Sequence, residues 1–216
     1  MVERQTPTVQ AVLWRDFLCP WCHLGRDRTA LLESLGVAVV ARAYDLHPDV
    51  PQEGRPVRPG GRLAAVLDHI AAECGAAGLP FRAPARIANS RMALETAELV
   101  RRDRREASAA VDAAFYDVQW VEGGDLNDPS VVDRVLASVG LDPAPVRRAR
   151  AAGEGAALIR ASMAEARNRE VTGTPAWWLD DRLLVPGVQP RETLERWVRR
   201  LQERRPDAPR GGPDPR

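Results

Sequence analysis

The spacing of apolar positions changes twice along this chain. Near the start, residues 9–14 and 37–44 are short runs rich in β-branched residues, the mark of buried strands. Residues 22–35 between them follow an amphipathic helical period, and Gly36 stands where a helix ends in a left-handed residue. Strand, helix and strand predict a βαβ unit. A Pro- and Gly-rich passage, residues 48–61, marks a boundary. From residue 62 to about 170 only helical periodicity is visible. Leu63, Val66, Leu67, Ile70 and Cys74 form one stripe, and Asn89-Ser90 caps a helix carrying Met92, Ala93, Ala97 and Val100. Ala110, Val111, Ala114, Phe115 and Val118 share a face; Asp128-Pro129 opens the stripe Val131, Val132, Val135, Leu136, Val139, closed by Gly140. Asp142-Pro143 repeats that device, and a last helix of the region carries Leu158, Ser162, Met163 and Ala166. Strands return at residues 174–179 and 183–185 around Asp180-Asp181-Arg182, and Leu194, Trp197, Val198 and Leu201 predict a final helix. From Arg205 onward the composition predicts a disordered tail.

The first strand hands over to its helix at Cys19-Pro20-Trp21-Cys22, a pair of thiols three positions apart that reads as a dithiol/disulfide couple. Cys19 falls at the helix N-cap and Pro20 at the first helical position, where a missing N–H costs no bond. Free amide groups and the positive end of the helix dipole then favour a thiolate on Cys19. Such surroundings lower a cysteine pKa from about 8.5 into the range of roughly 3.5–7.5. Cys19 is the expected nucleophile. Cys22, a turn further in and less exposed, is placed to resolve a mixed disulfide.

Zinc fits poorly, because it wants four ligands and the other candidates are only Cys74, His23, His47 and His69, with no second CxxC; no metal is expected. A purely structural disulfide would close too short a loop to constrain the unfolded chain much. Cys74, on its helical stripe, reads as a small buried apolar residue.

Composition narrows the class. A chain of 216 residues, 44% hydrophobic and 28% charged, can bury one substantial core, either as one domain or as one domain with a large insertion. Net charge is +1, and all 31 basic residues are arginine. Arginine clusters such as residues 101–105 and 199–200 are interleaved or balanced with acids, which argues against a nucleic-acid partner. The polar start at residues 1–10 has no apolar signal region, and no run is long enough to span a membrane. The expected compartment is the cytoplasm, where a CxxC is more plausibly catalytic than structural.

The order CPWC-opened βαβ, helical insertion, then Val171-Thr172-Gly173-Thr174-Pro175 leading a ββα unit resembles the DsbA family of thioredoxin-like proteins. Further motifs carry the resemblance: Asp16-Phe17-Leu18 before the cysteines, Leu46-His47-Pro48, and Val185-Pro186-Gly187-Val188-Gln189-Pro190. The chain is most similar to the cytoplasmic FrnE-like branch, related to 2-hydroxychromene-2-carboxylate isomerases and kappa-class glutathione transferases. The resemblance spans about residues 8–204 and implies an α/β thioredoxin-like fold with a large all-helical insertion. Its parts would be residues 8–50 and 171–204 as the two halves of the thioredoxin-like domain, 60–170 as the insertion, and 205–216 as the tail.

It also implies that Pro175 is a cis-proline facing the cysteines, with Thr174 and Gly173 beside the sulfurs pairing with substrate, and that Pro20-Trp21 and Thr174 tune the redox potential. Trp21, between two cysteines, reads as an exposed aromatic contact for substrate, and Trp177 and Trp178 as core and half-core. His23 is either a surface residue or a cation that helps ionise the thiols; His47 and His69 read as structural.

The function so implied is thiol:disulfide exchange or isomerisation on a protein or small-molecule substrate. A thiol reductant or oxidant would serve as electron partner, and no cofactor is needed beyond, at most, a low-molecular-weight thiol. Two alternatives stay open: a glutathione- or mycothiol-dependent isomerase or transferase on an aromatic or polyketide-like compound, and a chaperone-like binding module without redox turnover.

Overall fold

Alternation of side chains along the first strand sets the layers of the molecule. The computed structural model describes residues 9–204; the expected disordered tail falls outside them. Strand β1 (Val9–Arg15) sends Val9 and Ala11 to one face of a sheet and Val12 and Trp14 to the other, as the two-residue period of a strand requires. Helix α1 (Pro20–Ser34) returns the chain, Gly36 turns it with φ +82°, and β2 (Val37–Ala43) pairs parallel with β1 from Val9↔Val37 to Arg15↔Ala43. Strands β5 (Ala176–Leu179) and β6 (Leu183–Pro186) complete the sheet in the order β2-β1-β5-β6, with β5 antiparallel to β1 and β6 antiparallel to β5. The sheet is therefore mixed, and α8 (Arg191–Glu203) closes the ββα unit.

Each face is covered by apolar helix surface. Leu31 and Leu32 of α1 and Leu194, Val198 and Leu201 of α8 pack with Val9, Ala11, Val37, Trp177 and Val185. Ala166 of α7 (Glu154–Asn168) packs with Trp14, Val171 and Ala176 on the other side. Trp177 is fully buried and Trp178 half-buried, as their alternation in β5 dictates.

Between β2 and β5 the chain forms α2 (Arg62–Ala76), α3 (Arg91–Asp103), α4 (Ser108–Asp117), α5 (Pro129–Ser138), α6 (Pro143–Ala151) and α7. Asp128 and Asp142 cap α5 and α6 by accepting from Ser130 N and Ala144 N, with proline in the first turn of each. The helices share one apolar cluster with the first βαβ unit: Phe17, Leu18, Cys19 and Cys22 lie in it together with Leu67, Leu94, Val111, Phe115, Trp120 and Leu136.

Several expectations are corrected. The region beyond residue 62 is not purely helical: β4 (Arg86–Ile87) lies in it and forms a two-residue ladder with β3 (Arg55–Pro56) of the preceding passage, too short to leave any period in the sequence. Leu63 is 38% exposed, because it sits in the first turn of α2 before that helix reaches the cluster. Ala110 is exposed, one step off the buried face formed by Val111, Phe115 and Val118. Of the pair Asn89-Ser90 expected at the start of α3, Asn89 makes the capping bond, its Oδ1 accepting from Arg91 N, while Ser90 holds the N-cap position and its hydroxyl donates to Asp16. Residues 174–175 precede β5 instead of belonging to it.

Candidate active site

Three residues from elsewhere in the chain, Leu46, Ser90 and Trp120, hold the segment between β1 and α1. The Asp16 carboxylate, fully buried, accepts from Leu18 N at 3.2 Å, Leu46 N at 2.8 Å and the Ser90 hydroxyl at 2.7 Å. It thereby ties the approach to α1 to the loop after β2 and to the start of α3. Trp120 Nε1 donates to Phe17 O at 2.8 Å, anchoring the same segment to the π turn Val118–Glu122 that ends α4.

Cys19 is the N-cap of α1, in extended conformation, with Pro20 in the first turn. No side chain caps this helix and no acid lies in its first turn, so nothing competes with a sulfur anion for the amide-rich end. The three cysteines are free, with no bond between the two at α1. Cys19 Sγ donates to Thr174 O at 3.5 Å across the gap between α1 and the segment leading into β5. The Thr174–Pro175 peptide is cis, Pro175 is buried, and Pro175 O accepts from Gly187 N at 2.8 Å. Gly25 lets α1 approach this segment: a Cβ there would lie 3.3 Å from Pro175 Cγ and from the Trp177 ring.

The two thiols divide a proton unequally. A hydrogen bond from Cys22 holds the Cys19 thiol below the ordinary cysteine range, against the opposing effect of burial, and the Thr174 side chain adds to the lowering. Cys22 is pushed well up, first by desolvation and then by its neighbour Cys19. Thr174 Oγ1 is buried with no hydrogen-bond partner among the described residues. Burial pushes Asp16 up to about 6, and its charge, when present, opposes ionisation of Cys19.

Exposure differs from the sequence expectation. Cys19 was expected to be the more open thiol, yet both sulfur residues are 3% exposed. The physical reason is the insertion, whose Leu67 and Val111 join Phe17 and Leu18 in one cluster around the pair, and a neutral thiol packs as a small apolar group. Trp21 is half-buried rather than free, its ring 5.6 Å from that of His69. Together with Leu24, Arg28, Val188 and Arg191 these rings wall a cavity of about 450 Å³; neither cysteine lines it, and Trp21 is the residue of the CPWC turn that does. Pro20, Gly173 and Thr174 are half-buried.

The histidines fall into three settings. His23 is fully buried, Nε2 donating to Pro80 O at 2.8 Å, and burial holds its pKa below the usual value. The same burial disfavours the cation, which argues against an electrostatic role toward the thiols. His69 is exposed and belongs to the cavity wall; His47 is exposed, its carbonyl accepting from Val50 N in the turn after β2. Cys74 lies apart in a cluster with Leu24 and Ile70, its thiol pushed up to about 11 by desolvation. Among the described residues no group of three metal-ligating side chains gathers, and no helix is long and apolar enough to cross a membrane.

Residue patterns alone did not single out Asp16 as a three-way acceptor, nor the pair Arg15–Asp112, buried and joined by bonds of 3.1 and 2.6 Å. The one sequence signal for either was Arg-Asp directly after an apolar strand, where charge is costly without a partner.

The geometry agrees with comparison to known proteins. No curated protein matches the sequence. Among solved structures, a probable DsbA oxidoreductase from Streptomyces coelicolor superposes with a TM-score of 0.80 at 27% identity, covering 95% of this chain and 97% of its own. A 2-hydroxychromene-2-carboxylate isomerase shares the fold with a TM-score of 0.72 at 22% identity, over 89% of this chain and 95% of its own. The cytosolic disulfide reductase DsbM from Pseudomonas aeruginosa, solved with GSH, does so at 0.64 and 19%, over 90% and 98%. The family model of the DSBA-like thioredoxin domain matches residues 10–199, and the chain belongs to that family.

Proposed function

We propose that this protein is a thiol:disulfide oxidoreductase or isomerase acting through a mixed disulfide on Cys19. The observation that carries the reading is a single one: a thiol at the uncapped start of α1 whose acidity is raised by the hydrogen bond from Cys22, beside the Thr174 carbonyl.

In the reducing direction the Cys19 thiolate attacks one sulfur of a substrate disulfide. A Cys19–substrate bond forms, the substrate S–S bond breaks, and the departing thiolate takes a proton. Cys22 then gives up its proton and attacks the Cys19 sulfur, expelling the second substrate thiolate and leaving a Cys19–Cys22 disulfide. Two electrons pass to substrate, and an external thiol restores the dithiol. Run backwards, the same steps oxidise a substrate dithiol. The high pKa of Cys22 keeps it protonated until Cys19 has reacted, which orders the two attacks.

Pro20, Trp21, Gly173, Thr174 and Pro175 form the substrate contacts in this reading, and the Trp21–His69 cavity receives the group attached to the attacked sulfur. Because both cysteines are nearly covered, access requires the cover over Cys19 to part. The cytoplasm is the matching compartment, as for the cytosolic Pseudomonas relative. A low-molecular-weight thiol is the electron donor that this cavity accommodates, and a glutathione- or mycothiol-dependent isomerase is the second reading on the same observation.

Turnover of a model disulfide tests the proposal. Cys19→Ser should abolish it, while Cys22→Ser should stall at a mixed disulfide visible in the intact mass. Undiminished turnover in Cys19→Ser would overturn the mechanism.

A further inference from the structure

A second cavity, of about 490 Å³, lies between α1, the sheet edge β2 and α4. It shares no residue with the cavity walled by Trp21 and His69, and of the dithiol only Cys22 reaches its lining. Its volume falls in the range of about 300–1,000 Å³ typical of small-molecule sites.

Three features of the lining define a ligand. Arg15 contributes to the wall, 2% exposed; its Nε and Nη2 are spent on Asp112, and its Nη1 is buried with no hydrogen-bond partner. A buried guanidinium N–H without an acceptor is rare and costly, and an oxygen from a bound molecule would satisfy it. Arginines outnumber acids in the lining, Arg15, Arg26, Arg101 and Arg105 against Glu33 and Asp112. Arg26 pairs with Asp117 and Arg101 with Glu98, whereas Arg105 is exposed and carries no ion pair among the described residues. The rest of the wall is mainly apolar, built from residues 37–41 of β2 together with Leu13, Ala109 and Ala113.

We propose that this cavity binds a small monocarboxylate with an apolar body, its carboxylate accepting from Arg15 Nη1 and its body lying along β2 and α4. One unpartnered nitrogen, Nη1 with its two N–H groups, on a guanidinium whose charge Asp112 already balances, suits a single negative charge better than a phosphate dianion. The apolar wall gives an inorganic oxyanion nothing to bury. Arg105, free at the surface, attracts the anion as it enters. The site stands whether or not the thiol chemistry is as proposed, because its evidence is independent of Cys19.

Calorimetric titration of the full, reduced protein tests it with three probes at matched ionic strength: octanoate, benzoate and inorganic phosphate. At least one carboxylate should bind at one site per chain, with phosphate giving no heat above dilution. Ala113→Trp, which fills the cavity, should abolish binding, and Arg105→Glu, at an exposed position, should weaken it about tenfold or more. Absence of binding by both carboxylates, equal binding of phosphate, or binding unchanged in Arg105→Glu would each overturn the proposal. Arg105→Glu decides the matter alone should Ala113→Trp fail to fold.

Discussion

Asp16 makes the stability of this protein depend on pH in a direction opposite to that of an ordinary paired carboxylate. Its pKa rises from 3.8 to about 6 because desolvation outweighs the hydrogen bonds from Ser90, Leu46 and Leu18. A folded-state pKa above the unfolded one means that the native chain holds the proton more tightly. The stabilising contribution is complete below pH 3.8 and is lost as pH rises through about 6. At about 1.4 kcal/mol per pH unit the full loss is about 3 kcal/mol, and about 2 kcal/mol of it falls between pH 4.5 and 7.5. Asp16→Asn removes the titration while keeping the shape. Any cost of turning the amide toward two backbone N–H groups is the same at both pH values and cancels. Urea unfolding of both proteins at pH 4.5 and 7.5 should therefore show the stability difference, wild type minus variant, falling by about 2 kcal/mol as the pH is raised. The same substitution removes a charge that opposes the Cys19 thiolate, so ultraviolet titration of that thiol should move to lower pH. Parallel stability profiles for the two proteins would refute the assignment of a buried, titrating Asp16.

Two further substitutions probe the neighbouring interactions. Cys22→Ala deletes the hydrogen bond that contributes most to the acidity of Cys19, so the pH midpoint for alkylation of Cys19 should move up toward the ordinary thiol range; an unmoved midpoint contradicts the proton-sharing pair. Asp112→Ala strands the buried Arg15 guanidinium and should cost about 3–5 kcal/mol in urea unfolding, whereas the paired change Arg15→Met with Asp112→Leu should recover most of it, and a loss under 1 kcal/mol in the single variant would show the pair to be solvated.

What could be read before folding was whatever is encoded locally. Pro20 after Cys19, Gly36 after α1, and aspartate-proline ahead of α5 and α6 each act within a few residues of their position, and each does so in the structure. The cap of α3 was legible only as a pair, because Ser90 is drawn away by a carboxylate 74 positions earlier. His23 read as either a first-turn surface residue or a cation beside the thiols, but Phe81, Tyr116 and Trp120 from two separate parts of the insertion surround its ring. The covering of Cys19 was hidden for the same reason: periodicity tells which face of α2 is apolar and is silent about what that face covers. Thr174, 155 positions from Cys19, came from the family pattern rather than from any spacing in the chain.

The central position of β1 has a consequence for how the molecule is made. One neighbour, β2, follows it closely, but the other, β5, pairs through Ala11↔Leu179 to Trp14↔Ala176 and is synthesised only after all of the intervening helices. While the ribosome is still translating the helices, the nascent polypeptide carries an open strand edge beside thiols that lack their Thr174 contact. Biosynthetic quality therefore hinges on translation reaching β5, and chains broken off before residue 174 would leave both hazards uncovered.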